Sequence, residues 1–78
     1  MSVNGELAAA ARRVSALREQ IPARHRPAFD AQAWNKLNRR VAKADPDRAL
    51  ELISEWEFAE RVALSGALVN APLGEGAA

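Results

Sequence analysis

Asp45-Pro46-Asp47 combines the clearest helix start of the chain with a reversal in the sign of its charge. An aspartate can accept a backbone N–H bond at the start of a helix, proline fits the first helical position, and a following acid interacts favourably with the helix dipole. Residues 24–43 carry six basic side chains and one acidic one, whereas residues 45–61 carry six acidic and two basic ones. The tripeptide therefore predicts a tight corner at which a basic helix meets an acidic one.

The chain before this corner predicts two helices. Apolar residues recur every three or four positions over about residues 5–20, with Asn4 as the predicted N-cap and Pro22 as the end. They are Leu7, Ala10, Val14, Leu17 and Ile21. This narrow stripe suits one partner helix, either within the chain or from a second copy. A second, amphipathic helix over about residues 27–44 opens at Pro27. Its predicted inner face is Phe29, Ala33, Leu37, Val41 and Ala44, with Trp34 at the edge.

The chain after the corner predicts a third helix over about residues 46–68, and its continuation across Gly66 is left open by the pattern. Its apolar residues point in three directions. One set is Leu52, Trp56, Ala59, Ala63 and Gly66, the next is Leu50, Ile53, Leu64 and Leu68, and the third is Phe58, Val62 and Val69. Glu60 lies near the apolar side, so we expect it to pair with Arg61 or with an arginine of the first helix.

The composition predicts an all-α protein with a single domain. The chain has 78 residues, is rich in helix-forming residues and has no cysteine. Residues 1–69 are predicted to form a small three-helix bundle, and residues 70–78 a disordered tail. A core of this size rarely supplies more than about 3–5 kcal/mol of net stability, so we expect tight helix packing or association with another chain to reinforce it.

Several classes of function lack support in the sequence. The net charge of +1 gives no general attraction to nucleic acid or lipid. No window approaches the ~18 apolar residues of a membrane span and no signal peptide is visible, so we expect a soluble cytoplasmic protein without membrane association. His25, the paired glutamates and the serines match no metal-site or catalytic spacing. We therefore expect no metal, no cofactor and no enzymatic activity.

The third helix carries the strongest indication of a binding function. Residues 62–69 are apolar nearly all round, which is typical of a segment buried from several sides or covered by another molecule. Phe58 leaves the main apolar face, and aromatic residues are enriched at interface hot spots. The predicted partner-binding residues are Phe58, Val62, Leu68, Val69 and Trp56, although Trp34 and Trp56 also suit the core. The sequence thus predicts a helical module that binds and modulates a partner protein, in a homodimer or a hetero-complex.

A basic stripe on the second helix supports an alternative function, nucleic-acid binding. The stripe, called the basic face below, consists of Lys36, Arg39, Arg40 and Lys43. Together with Arg24 and Arg26 on the connector, it has the charge needed to follow a phosphate backbone. The competing interpretation is a solvated face that Glu51 and Glu55 partly neutralise. Both interpretations stay open at the level of sequence.

A resemblance to known proteins extends from Ile21 to about Leu64. The matching features are Ile21-Pro22, then Arg26 and Phe29 opening a helix, then Ile53, Trp56 and Ala59 in a following helix. Over this range the chain resembles a family of short uncharacterised actinobacterial helical proteins. Some members of that family accompany small RNA-cleaving toxins, so the resemblance implies an antitoxin-like role. It implies no particular site residue.

Overall fold

A computed structural model of the protein describes residues 2–70. Within them lie three α-helices: α1 spans Val3–Glu19, α2 spans Ala31–Lys43 and α3 spans Pro46–Asn70. A short 3-10 helix, Ala23–His25, lies in the connector between α1 and α2. The predicted all-α, three-helix fold is confirmed. Asn70, predicted as the first residue of the tail, is the last residue of α3, and the remainder of the predicted tail lies outside the described residues.

The predicted corner is present, and its aspartate caps α3. The Asp45 carboxylate accepts a hydrogen bond from the backbone N–H of Arg48 at 2.9 Å, and Pro46 is the first residue of the helix. Only Ala44 and Asp45 separate α2 from α3, and α2 folds back along α3, because Trp34 near its start contacts Trp56. The helix then continues through Gly66 without a break.

The other two helix starts differ from the predicted ones. Ser2, not Asn4, caps α1, because its hydroxyl accepts a bond from the backbone N–H of Gly5 at 2.9 Å. The second helix begins four residues after Pro27, with Asp30 accepting a bond from the N–H of Ala33 at 3.0 Å. A side-chain acceptor at the N-cap satisfies a backbone donor, whereas proline only removes one, and the aspartate therefore sets the start.

The core lies along one side of α3, which contacts both α1 and α2. Its buried residues are Leu7, Ala10, Val14, Ile21, Leu37, Val41, Ala49, Leu52, Ile53, Trp56 and Leu64. Four of the five residues predicted for the stripe of α1 are among them and Leu17 is half-buried, so this stripe packs within the chain. On α2, Leu37 and Val41 are buried as predicted, but Phe29 precedes the helix and is 45% exposed.

The buried face of α3 differs from the predicted one. Ala59, Ala63 and Gly66, expected beside Leu52 and Trp56, are exposed. At 3.6 residues per turn, the observed face is rotated by roughly 60° from the predicted face. The difference arises because α1 packs against the side of α3 that carries Leu64, with Ala67 and Leu68 half-buried beside it.

The shorter helix α2 covers only the first part of α3. At 1.5 Å per residue, α3 is about 37 Å long and α2 about 20 Å long. Trp34, near the start of α2, packs against Trp56 in a tilted arrangement, with ring centroids 5.0 Å apart and an interplanar angle of 55°. Beyond Trp56, α2 no longer extends along α3, and the outward side of the later turns is open.

Candidate protein-binding groove and basic face

The second half of α3 exposes three large apolar side chains. Phe58 is 72% exposed, Val62 is 57% exposed and Val69 is 79% exposed. Single exposed apolar residues are common on soluble proteins, but clusters of them mark interaction surfaces. Phe58 and Val62 are four residues apart, so they lie one turn apart on the same side of the helix.

Phe58 and Val62 line an open groove with a volume of about 730 Å³. Its lining residues are Arg13, Ser54, Glu57, Phe58, Arg61, Val62 and Ser65. All except Arg13 belong to α3, and Arg13 reaches the groove from α1. From Ser54 to Ser65 the groove follows three turns of helix, or about 16 Å. We refer to it below as the α3 groove.

The charged side chains of the α3 groove form one connected cluster. Arg13 donates two hydrogen bonds of 2.7 Å to the carboxylate of Glu57, from Nε to Oε2 and from Nη2 to Oε1. The nearest guanidinium nitrogen of Arg61 lies 3.6 Å from Oε2 of the same carboxylate. The Glu57 side chain is only 12% exposed, whereas those of Arg13 and Arg61 are 51% and 60% exposed.

This cluster shifts the pKa of both members of the short pair. The hydrogen bond from Arg13 lowers the pKa of Glu57 below its ordinary value of 4.5, although burial opposes the shift. The same hydrogen bond raises the pKa of Arg13 above its ordinary value. Glu57 is therefore ionised at neutral pH and joins α1 to α3 across the edge of the groove.

The acid that pairs with the arginines differs from the predicted one. Glu60 was expected to pair with an arginine, but Glu57 accepts from Arg13 and lies near Arg61. The spacing of four residues between Glu57 and Arg61 was a usable signal for the second contact. Nothing in the sequence indicates the first contact, because Arg13 and Glu57 are 44 positions apart.

The remaining residues predicted to bind a partner lie outside the groove lining. Trp56 is 8% exposed and packs against Trp34, so its ring belongs to the core. Leu68 is half-buried and packs against the core. Val69 is exposed, one turn beyond Ser65 at the end of the groove. Phe58 and Val62 are thus the two predicted residues that the structure brings together.

All four side chains of the basic face are exposed on α2. Within residues 2–70, none of them forms an ion pair, because the acids expected to neutralise them are engaged by Arg48. Arg48 donates to Glu51 at 2.9 Å and lies 3.8 Å from Glu55. Lys36 and Arg40 share a smaller cleft of about 240 Å³ with Glu55. The carboxylate of Glu55 therefore lies near one edge of the basic face without pairing with it.

Arg26 is not available to extend the basic face. Its guanidinium donates to the backbone carbonyls of Arg18 at 2.8 Å and Ile21 at 3.0 Å. These carbonyls lie at the end of α1, where backbone acceptors lack helical partners. Arg26 thus closes the end of the first helix.

Residues 2–70 contain no group of three His, Cys, Asp or Glu side chains placed to hold a metal ion. No helix within this range is long and apolar enough to cross a membrane.

Comparison of the chain with protein-family models, with curated proteins and with solved structures gave no match. The resemblance to small actinobacterial helical proteins stays a prediction. The α3 groove and the basic face are the features of the described residues that bear on function.

Proposed function

We propose that this protein is a small helical interaction module that binds a partner protein through the α3 groove and modulates it, as an antitoxin or another inhibitor does. The observation that carries the proposal is the 72% exposure of Phe58 beside Val62 in an open groove. Complete burial of an exposed Phe stabilises a complex by about 1.5–3 kcal/mol. Burial of the exposed part of Phe58 corresponds to about 1–2 kcal/mol, or roughly a tenfold gain in affinity.

In this proposal Phe58 contributes to partner binding and contributes little to the stability of the isolated chain, because it lies outside the buried core. Phe58→Ala removes few contacts within the chain, so its free energy of unfolding should change by less than about 0.5 kcal/mol. The same substitution should weaken a complex by about tenfold. Leu64→Ala is the matched control, because Leu64 is 2% exposed on the same helix and its truncation should lower the melting temperature.

The test compares proteins recovered from the native host with the wild-type chain and with Phe58→Ala, by quantitative mass spectrometry. A protein depleted at least several-fold by Phe58→Ala, at an unchanged melting temperature, supports the proposal. Light scattering of the recovered complex would distinguish a homodimer from a hetero-complex. The proposal fails if both baits recover the same proteins in equal amounts, or if Phe58→Ala unfolds the isolated chain.

A second candidate function, nucleic-acid binding through the basic face, is favoured by one specific observation. The nearest acids pair with Arg48, and the four cations of the basic face have no ion pair within residues 2–70. If all four contacted phosphates of a duplex, the logarithm of the binding constant would fall with the logarithm of salt concentration with a slope of about −3.6. A rise from 50 to 200 mM salt would then weaken binding by about 150-fold.

Electrophoretic shift assays with a DNA duplex and with single-stranded RNA test this alternative. Arg39→Glu/Arg40→Glu should abolish binding, while Arg12→Glu on the exposed side of α1 should retain it. Both substitutions lie at exposed positions, and circular dichroism would verify the fold. Absent binding at 50 mM salt, or binding that salt does not weaken, rules the alternative out.

A further inference from the structure

We propose that the α3 groove receives an amphipathic helix of a partner protein, which places a carboxylate on Arg61 and apolar side chains on Phe58 and Val62. This inference rests on the proposed protein-binding function and adds the chemistry of the partner. It assigns Arg61 a role in specificity that differs from the structural role of the neighbouring Arg13.

The charge of the groove favours an acidic occupant. Both oxygens of the Glu57 carboxylate accept short hydrogen bonds from Arg13, so these two opposite charges compensate each other. Arg61 lies 3.6 Å from that carboxylate, which is beyond hydrogen-bonding distance, and is 60% exposed. The groove therefore has a net positive charge, located at Arg61. A carboxylate complements it and can accept two hydrogen bonds from the guanidinium fork.

The shape of the groove favours a helix. The lining follows three turns of α3, about 16 Å, and a partner helix of about 11 residues has the same length. Helices that bind in grooves insert apolar side chains at three- and four-residue spacing. Ser54 and Ser65 lie at the two ends of the lining, so the groove is bounded by small side chains at both ends.

Other classes of occupant fit the groove less well. A phosphate backbone is held by several cations, but the groove lining has only two, and Arg13 is already bound to Glu57 by two short hydrogen bonds. Two copies of this chain that met through their exposed Phe58 and Val62 would each bring an Arg61 to the contact, so these like charges would oppose the pairing.

The test uses two synthetic 16-residue Ala-rich helical peptides with Leu at positions four residues apart. One peptide carries Glu beside the Leu positions, and the other carries Gln there. Each is titrated into the full-length, ¹⁵N-labelled protein, and amide chemical shifts report both the affinity and the location of binding. We expect the largest shifts at Ser54, Phe58 and Ser65, and about two- to fivefold tighter binding of the Glu peptide.

Variants of the protein assign this preference to Arg61. Arg61→Gln should remove the difference between the two peptides, while Arg61→Lys should retain part of it. Arg39→Gln is the matched control, because it removes one exposed cation from α2 and should leave the preference unchanged. Both positions are exposed, and the Arg13 pair with Glu57 should stay in place in all three variants.

The outcomes separate this inference from the function on which it rests. If the wild type binds both peptides with equal affinity and the shifts lie in the groove, Arg61 does not recognise a carboxylate of the partner. The proposed protein-binding function then still stands. Shifts located elsewhere, together with a native complex that Phe58→Ala does not weaken, overturn both. Groove amides that shift when the protein alone is diluted identify a second copy as the occupant, which overturns the inference.

Discussion

Gly66→Ala should stabilise this protein by about 0.5–1 kcal/mol, because α3 continues through Gly66 as ordinary helix. The backbone φ of Gly66 is not positive, and a Cβ added there would meet no atom within 4 Å. The substitution therefore reduces the entropy of the unfolded chain without strain in the folded one. A small domain gains about 4–8 °C in melting temperature per kcal/mol, so the expected rise is about 2–8 °C.

Gly5→Ala is a matched control, since it makes the same change in the other long helix. A Cβ at Gly5 would lie 2.9 Å from the hydroxyl oxygen of Ser2, which caps α1. Displacement of this cap costs about 1 kcal/mol and offsets the gain in helix propensity. Gly5→Ala should thus give no stabilisation or a small loss.

Urea unfolding followed by far-ultraviolet circular dichroism measures both variants against the wild type, at two protein concentrations. A lower stability for Gly66→Ala would refute the reasoning, because it would mean that α3 does not continue through Gly66 or that another chain packs closely on it. Equal gains for the two variants would show that the Ser2 hydroxyl does not cap α1.

Three further predictions concern the core, the corner and the groove. Leu64→Ala should cost about 2–5 kcal/mol by creating a cavity, which is comparable with the whole stability of such a domain, and a cooperative unfolding transition unchanged from the wild type would contradict the described core. Asp45→Ala should cost about 1 kcal/mol through loss of the N-cap of α3, measured by urea unfolding, whereas no loss would mean that the corner does not depend on this cap. Arg13 holds the pKa of Glu57 in the folded protein below 4.5. The stabilisation of the folded state by the ionised Glu57 carboxylate is therefore complete above pH 4.5 and is lost as the pH falls through the lowered pKa. Glu57→Gln should therefore make the melting temperature less dependent on pH between pH 2 and 5. A pH profile identical to that of the wild type would show that Glu57 does not contribute to this pH dependence.

Local signals explain the parts of the fold that were predicted correctly. Asp45-Pro46 sets a helix start within three residues, and the structure shows Asp45 as the predicted cap, accepting from the backbone N–H of Arg48. The stripe from Leu7 to Ile21 has one clear period, so its buried side was unambiguous. In both cases neighbouring residues contain all the necessary information.

The buried face of α3 was harder to predict, because its apolar residues surround much of the helix. Ala59 and Leu64 are both apolar, yet Ala59 is exposed and Leu64 is buried. Which of them becomes buried depends on where α1 and α2 lie, and α2 ends its contact near Trp56. The exposure of Phe58 also depends on where α1 and α2 pack against α3, so the sequence alone does not determine it.

Part of the candidate site was predictable from the sequence and part was not. Phe58 and Val62 were predicted from their departure from the main apolar face, and their four-residue spacing places them together. Arg13 was missed because it joins the groove from a helix that precedes α3 by more than 25 residues. Its pairing with Glu57 distinguishes Arg61 as the groove cation without a short hydrogen bond.

The sequence by itself determined the helical class, the corner at Asp45 and the segregation of charge, because propensity, capping and composition act over a few neighbouring residues. Only the tertiary structure decided which side of α3 is buried and that Arg13 bonds to Glu57. These features depend on distances between residues far apart in the chain. Such distances are set by how the helices pack, and periodicity within one helix does not contain them.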